Sequence, residues 1–256
     1  MIHQTAVISD NTIIAPDVSI GPYAIVEDDV KIGAGSVIGP HAVIRRYSRI
    51  GENNTIDAGA VIGGLPQHTG FDGAETWVVI GDNNTLREGV TINRGYESGG
   101  ITVIGSNCYL MTGAHVGHDC RVGDNVILTN GVVLGGHVTV GRNVVMGGYA
   151  GAHQFLNVGA YCMVAAYAPL RKDALPYTTI GGTPIRHRRL NTVGLRRGGI
   201  VKERYRAVEQ AFRAMRDGDR TLEDLPDTEE IVELRRALRE KSRYGCYGFA
   251  GARDAD

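Results

Sequence analysis

The chain has 256 residues and a formal net charge of -1, from 27 basic and 28 acidic side chains, so no polyanion-binding field surrounds it and nucleic acid is not expected as a partner. Its 36 glycines beside 6% aromatics point to tight turns around small and branched aliphatics, the composition of a repeat protein. The cysteines (Cys108, Cys120, Cys162, Cys246) lack Cys-x-x-Cys spacing, no stretch approaches the roughly 18 apolar residues of a membrane span, and the N-terminus has no signal-like apolar run; a cytoplasmic protein without membrane insertion is expected.

From Ile2 an aliphatic recurs every six positions: Ile8, Ile14, Ile20, Val26, Ile32, Ile38, Ile44, Ile50, Ile56 and Ile62. Two positions earlier sits a small or branched residue, as at Ala6, Val18, Ala24, Ser36, Ala42 and Ala60. Neither helix nor simple strand periodicity yields six. A hexapeptide repeat predicts a left-handed parallel β-helix, with three hexapeptides to each triangular coil and coils about 4.8 Å apart. The repeat resumes at Ile80, Leu86 and Ile92 and runs on from Ile104 to Val164. Segment 63–79, with Pro66 and the only tryptophan, Trp77, reads as a loop leaving the prism, and 93–103 as a second, shorter one. Long loops on a rigid solenoid usually carry function.

Beyond residue 186 the chain turns basic and helical. Val201, Tyr205, Val208, Phe212 and Met215 predict one apolar helix face. Thr221 heads a capping-box-like start, EEIVELRRALREK predicts a further helix, and the tail from Gly245 reads as frayed. The basic run at His187–Arg189 and Arg196–Arg197 is either a solvated face or a phosphate clamp. The expected organisation is a β-helix over 1–186 and a helical domain over 187–256.

The stretch 113–137, GAHVGHDCRVGDNVILTNGVVLGGH, holds imidazoles that a scaffold does not need. Residues eighteen apart stack in adjacent coils, so Asp119 lies beneath His137 and His118 beneath Gly136. His153, sixteen beyond His137, falls within two residues of that column. One edge thus collects His118, Asp119, His137 and His153, and a corner position predicts that His118 is exposed. Imidazole, carboxylate and an accessible glycine N–H form the set for acyl transfer: a base, its orienting partner and an oxyanion donor. Zinc is the rival reading, but three-histidine hexapeptide carbonic anhydrases place two histidines five apart. This chain has His115-x-x-His118 and no such pair, so no metal is expected.

With TINRG (91–95), AHVGHDC (114–120), GGHVTVG (135–141), GAHQF (151–155) and LNTVGLRRGG (190–199), nearly the whole chain resembles the UDP-N-acetylglucosamine O-acyltransferases that begin lipid A synthesis. The resemblance implies a homotrimer of left-handed β-helices with helical C-terminal domains and active sites between subunits. It implies transfer of a 3-hydroxyacyl chain from the phosphopantetheine thioester of acyl carrier protein to the sugar 3-hydroxyl, without a further cofactor. His118 would be the general base, Asp119 its orienting partner, and Gly136 N–H the oxyanion donor. Gln67, His68, His115, His137, His153 and Gln154 would line the cleft, with Asn191 and Arg197 on the uridine and its phosphates. Ala166 would stand at the end of the acyl groove as a ruler of chain length. Three positions depart from the family: Gly70 where a lysine is usual, His68 where an aspartate is usual, and Gly198 for the second arginine of Arg-Arg-Gly. Other readings are a different nucleotide sugar, for example a 3-amino sugar giving an amide, a different acyl donor, or a non-catalytic trimeric scaffold.

Overall fold

The structure, a computed structural model, describes residues 1–250. The six-residue repeat folds as a left-handed parallel β-helix whose strands, among the described residues, form three sheets of nine, eight and ten. Away from the two loops a strand pairs with the residue eighteen further on, as Val7 with Ile25, Ile25 with Val43, and His115 with Val133, and across the loops the offset widens, as Val61 with Thr91 and Thr91 with His115. The repeat aliphatics point inward and are buried from Ile20 onward, which is what removes the apolar column from water. Ile2 is 53% exposed, and Ile8 and Ile14 are only partly covered, because no coil precedes them.

Corners of the prism need a left-handed backbone. One edge meets this with Asn53, Asn83, Asn107, Asn125 and Asn143, all at positive φ. The site edge instead uses Asp119 (φ 60°), His137 (φ 61°) and Phe155 (φ 66°), a conformation that costs a non-glycine residue roughly 1–2 kcal/mol. Coil-to-coil hydrogen bonds hold them there, His137 N–H to His118 O at 2.9 Å and Phe155 N–H to Gly136 O at 3.0 Å.

Both loops are shorter than the sequence pattern suggests. Trp77–Ile80 and Ile101–Ile104 are four-residue strands paired to each other, Trp77 opposite Ile101. The Arg49 guanidinium lies 4.2 Å over the Trp77 ring. The excursions are therefore 65–76 and 94–100, and Trp77 belongs to the wall of the prism.

The C-terminal region opens with a strand, Arg186–Leu190, running antiparallel to Thr178–Gly181. Helices α1 (Thr192–Arg197), α2 (Lys202–Arg216) and α3 (Glu229–Arg239) follow. Helix α2 buries Ala207, Val208, Ala211, Phe212 and Met215, whereas Val201 is its cap residue and stays exposed. The α3 cap is Thr228, whose hydroxyl accepts from Ile231 N–H; Thr221 is held in a turn by Asp219. Arg142 of the prism meets Glu233 of α3 at 2.9 Å, tying the two parts together. The tail is not frayed over 245–250, where Phe249 packs on His187 and Phe212; its remainder lies outside the described residues.

His187, expected in a solvated face or a phosphate clamp, is fully buried in its strand, and its Nε2 accepts the Leu175 N–H at 2.9 Å. Protonation would set two donors head to head, and burial pushes its pKa down to about 4. The unfolded imidazole, near 6.5, binds the proton first. Stability from the neutral ring is therefore full above about pH 6.5 and falls by about 3 kcal/mol as pH drops towards 4. Melting temperatures across that range should decline less steeply for His187→Gln than for the parent. Parallel curves would show that His187 does not control acid stability.

Candidate active site

The strand His115–Val116 leads into the corner bearing the dyad. Gly117 permits that corner, since a Cβ there would stand 2.8 Å from Leu134 O. The backbone N–H of Asp119 donates to Thr102 Oγ1 at 2.8 Å, which holds the left-handed turn. Its Oδ2 accepts His118 Nδ1–H at 2.8 Å and the Tyr96 N–H at 2.9 Å. Contrary to the corner expectation, His118 is only 6% exposed. It is enclosed by Tyr96 and His137, with ring centroids at 5.7 and 5.1 Å.

With Nδ1–H committed to Asp119, the His118 lone pair resides on Nε2. Gly136 lies directly against that nitrogen: a Cβ at 136 would come 2.5 Å from Nε2 and 2.6 Å from Cε1. Gly136 N–H has no backbone acceptor among the described residues. A basic nitrogen thus stands beside an unpaired amide donor, the pair that addition to a carbonyl requires.

His137 Nε2 is 3.8 Å from the same Asp119 oxygen, and its ring stacks on Phe155 at 4.6 Å. Burial lowers the His137 pKa, opposed by Asp119, and burial lowers that of His115 as well. Both rings are therefore neutral at pH 7. The donor atoms of His118, Asp119 and His137 lie within 4.8 Å of one another, a spacing that also suits a cation. In the pairing observed, the His118 nitrogen nearest the carboxylate bears a proton, which fits proton transfer.

The remaining predicted residues are dispersed. His115 projects from the outer face of the nine-stranded sheet, with Nδ1 2.8 Å from Thr91 Oγ1. Gln154 is exposed and sits over Gly135. His153 does not join the dyad column: eighteen beyond His137 is Phe155, and the His153 ring faces Tyr244 at 5.3 Å. Gln67 and His68 are exposed on the first loop, which folds back so that the His68 ring lies 6.0 Å from that of His118. Asn191 is buried, with its carboxamide capping α1 at Gly194 and donating to Tyr161 O. Arg197 is exposed in the last turn of α1. A Cβ at Gly198 would strike the Tyr161 ring, which explains glycine there. Ala166 is exposed on the corner entering the nine-stranded sheet, whereas His118 is on the corner leaving it.

Three contributors were not anticipated. Phe155 was available from the eighteen-residue spacing. Tyr96 depends on the path of the second loop, for which the repeat carries no signal, and Thr102 belongs to the strand Ile101–Ile104, which the repeat pattern assigns to that loop.

Residues 11–46 and 101–136 match the family described as bacterial transferase hexapeptide (six repeats), and 173–246 match UDP N-acetylglucosamine O-acyltransferase, domain 2. The chain is 43% identical to an acyl-(acyl-carrier-protein)–UDP-N-acetylglucosamine O-acyltransferase of Xylella fastidiosa, over 84% of this chain and 82% of that protein. It is 42% identical to the protein of that name from Stenotrophomonas maltophilia, over 93% and 90%. The crystal structure of UDP-N-acetylglucosamine O-acyltransferase from Moraxella catarrhalis superposes with a TM-score of 0.91 at 37% identity, covering 96% of this chain and 99% of that one.

Proposed function

The chain belongs to the UDP-N-acetylglucosamine O-acyltransferase family, and from that premise we propose that it moves a 3-hydroxyacyl group from acyl carrier protein to the 3-hydroxyl of UDP-N-acetylglucosamine, the opening transfer of lipid A synthesis, in the cytoplasm. The carrying observation is the His118–Asp119 dyad laid over Gly136. His118 Nε2 takes the proton of the acceptor hydroxyl as its oxygen attacks the thioester carbonyl. The Gly136 N–H receives the oxyanion. Collapse breaks the C–S bond, and the departing pantetheine thiolate recovers the proton from His118. A thioester is already activated, so one base suffices without a metal, and such a base contributes typically about 10²–10⁴-fold. Asp119 fixes the tautomer and steadies the imidazolium while it exists.

Gln67, His153 and Gln154 are read as cleft contacts, and Arg197 as a partner of the nucleotide phosphates. Asn191 acts through the placement of α1. No described helix is long and apolar enough to cross a membrane. A homotrimer is supported by the outer face of the nine-stranded sheet, where Val7, Ile25, Val43, Val61 and Val133 form one apolar ladder with His115 among them. Val7 is 63% exposed and Val133 49% in the single chain, a face suited to burial against further copies. That face separates His118 from Ala166, so an acyl chain held between subunits would run across it.

Competition among 3-hydroxyacyl carrier proteins of graded length, on the sedimenting trimer with UDP-N-acetylglucosamine, tests this reading. Product should be the 3-O-ester. The Ala166 methyl shortens the groove by about one methylene, and overfilling it costs about 1–3 kcal/mol, so Ala166→Gly should shift preference to longer donors. Transfer only to a 3-amino sugar would overturn the acceptor, activity in a monomer the intersubunit site, and an unchanged length ranking the ruler.

A further inference from the structure

His68 and Gly70, on the first loop, take no part in the dyad, yet a residue of the second loop binds both to it. A Cβ at Gly70 would lie 2.7 Å from the Tyr96 hydroxyl, so that phenol fills the space a side chain at 70 would take. The Tyr96 ring lies 4.2 Å from the His68 ring and 5.7 Å from that of His118. Its own N–H donates to Asp119 Oδ2, which fixes its backbone to the catalytic carboxylate. The Tyr96 hydroxyl has no hydrogen-bond partner among the described residues. Gly70 N–H donates to His68 Nδ1 at 3.1 Å. A nitrogen that accepts carries no proton, so in this pairing the His68 proton sits on Nε2, which has no hydrogen-bond partner among the described residues.

We propose that Tyr96 determines acceptor specificity: its hydroxyl and the Nε2–H of His68 form an uncharged hydrogen-bonding wall beside His118 that reads the sugar of the nucleotide-sugar acceptor. Such a wall matches hydroxyl and amide oxygens and offers no ion pair to a charged substituent. The assignment rests on the acyl transfer to a nucleotide sugar proposed above.

Steady-state kinetics of the full-length trimer, with 3-hydroxyacyl carrier protein and UDP-N-acetylglucosamine, test it through Tyr96→Phe, Gly70→Ala and the double variant. Tyr96→Phe should raise the acceptor KM by about three- to ten-fold, the span of one neutral hydrogen bond, with kcat and donor KM held within about two-fold. Gly70→Ala should raise the same KM by displacing the hydroxyl. It should add nothing once that oxygen is gone, because the clash is with that atom. The proposal is overturned by an unchanged acceptor KM in Tyr96→Phe, by kcat and both KM values worsening together, or by an equal Gly70→Ala effect in both backgrounds. Failure of the wild type to acylate UDP-N-acetylglucosamine is a separate result, which removes the functional reading and Tyr96 with it. Loss of the KM effects alone removes Tyr96 and leaves that reading standing.

Discussion

His118→Ala is expected to lower kcat by at least about 10², because the three atoms nearest a Cβ at Gly136 all belong to the His118 ring and a positioned base supplies about 10²–10⁴ of the rate. His137 cannot take over: its ring is stacked on Phe155, and its Nε2 is turned towards Asp119. The same change is not silent for stability. His118 is buried against three aromatic rings, and its removal leaves the Asp119 carboxylate with only the Tyr96 N–H on Oδ2. Leaving a buried acceptor short of a partner costs about 1–3 kcal/mol, so a moderate drop in melting temperature accompanies the loss of turnover. The proposed trimer should persist, since the substitution leaves Val7, Ile25 and Val133 of the apolar ladder in place. His118→Gln, which refills the space without a basic nitrogen, separates the two effects: stability should recover and turnover should not. Retention of more than about a tenth of the wild-type rate by either variant would remove the base assignment, given the expected factor.

Gly136→Ala is the second large loss. Its backbone is not in the left-handed region, so alanine brings no torsional penalty, and the effect comes from contact alone. A methyl group 2.5 Å from His118 Nε2 cannot be accommodated while Asp119 holds the other side of the ring. Either the imidazole swings away or the amide shifts, and both spoil the alignment of base and oxyanion donor. Removing one such donor costs about 10²–10³ in kcat, and that is the expected range here. The diagnostic comparison is with Gly135→Ala, whose Cβ would meet Gln154 N at 2.9 Å and not the imidazole. That change should disturb coil packing and melting temperature more than the chemical step. If the two alanines lower kcat equally, contact with His118 is not what makes Gly136 special.

The parts of this molecule that obey a period were legible in the sequence. Ile44, Ile62 and Leu134 lie where six-residue counting puts them, and eighteen-residue counting alone sets His118 under Gly136. Reading failed where local chemistry competes with a short motif. Thr221 and Thr228 are both plausible caps, and the choice fell to Thr228 because Asp219 captures Thr221 in a turn. Trp77 looked like loop because its segment breaks the repeat, yet pairing with Ile101 draws it into the wall. His153 falls two residues short of the column, and the residue eighteen beyond His137 is Phe155. Tyr96 had no sequence signal, since its value arises from two loops meeting.

The first loop departs after Gly64 and returns at Trp77, and both ends are fastened in parallel strands that close the prism without it. The nitrogen and the amide proposed to perform the transfer come from corners of the stack, fixed by hydrogen bonds between coils. The closure of the stack therefore does not depend on residues 65–76, although His68 of that loop packs beside the dyad. The closed stack would thus keep the dyad aligned in a chain whose first loop carried other residues at positions 68 and 70.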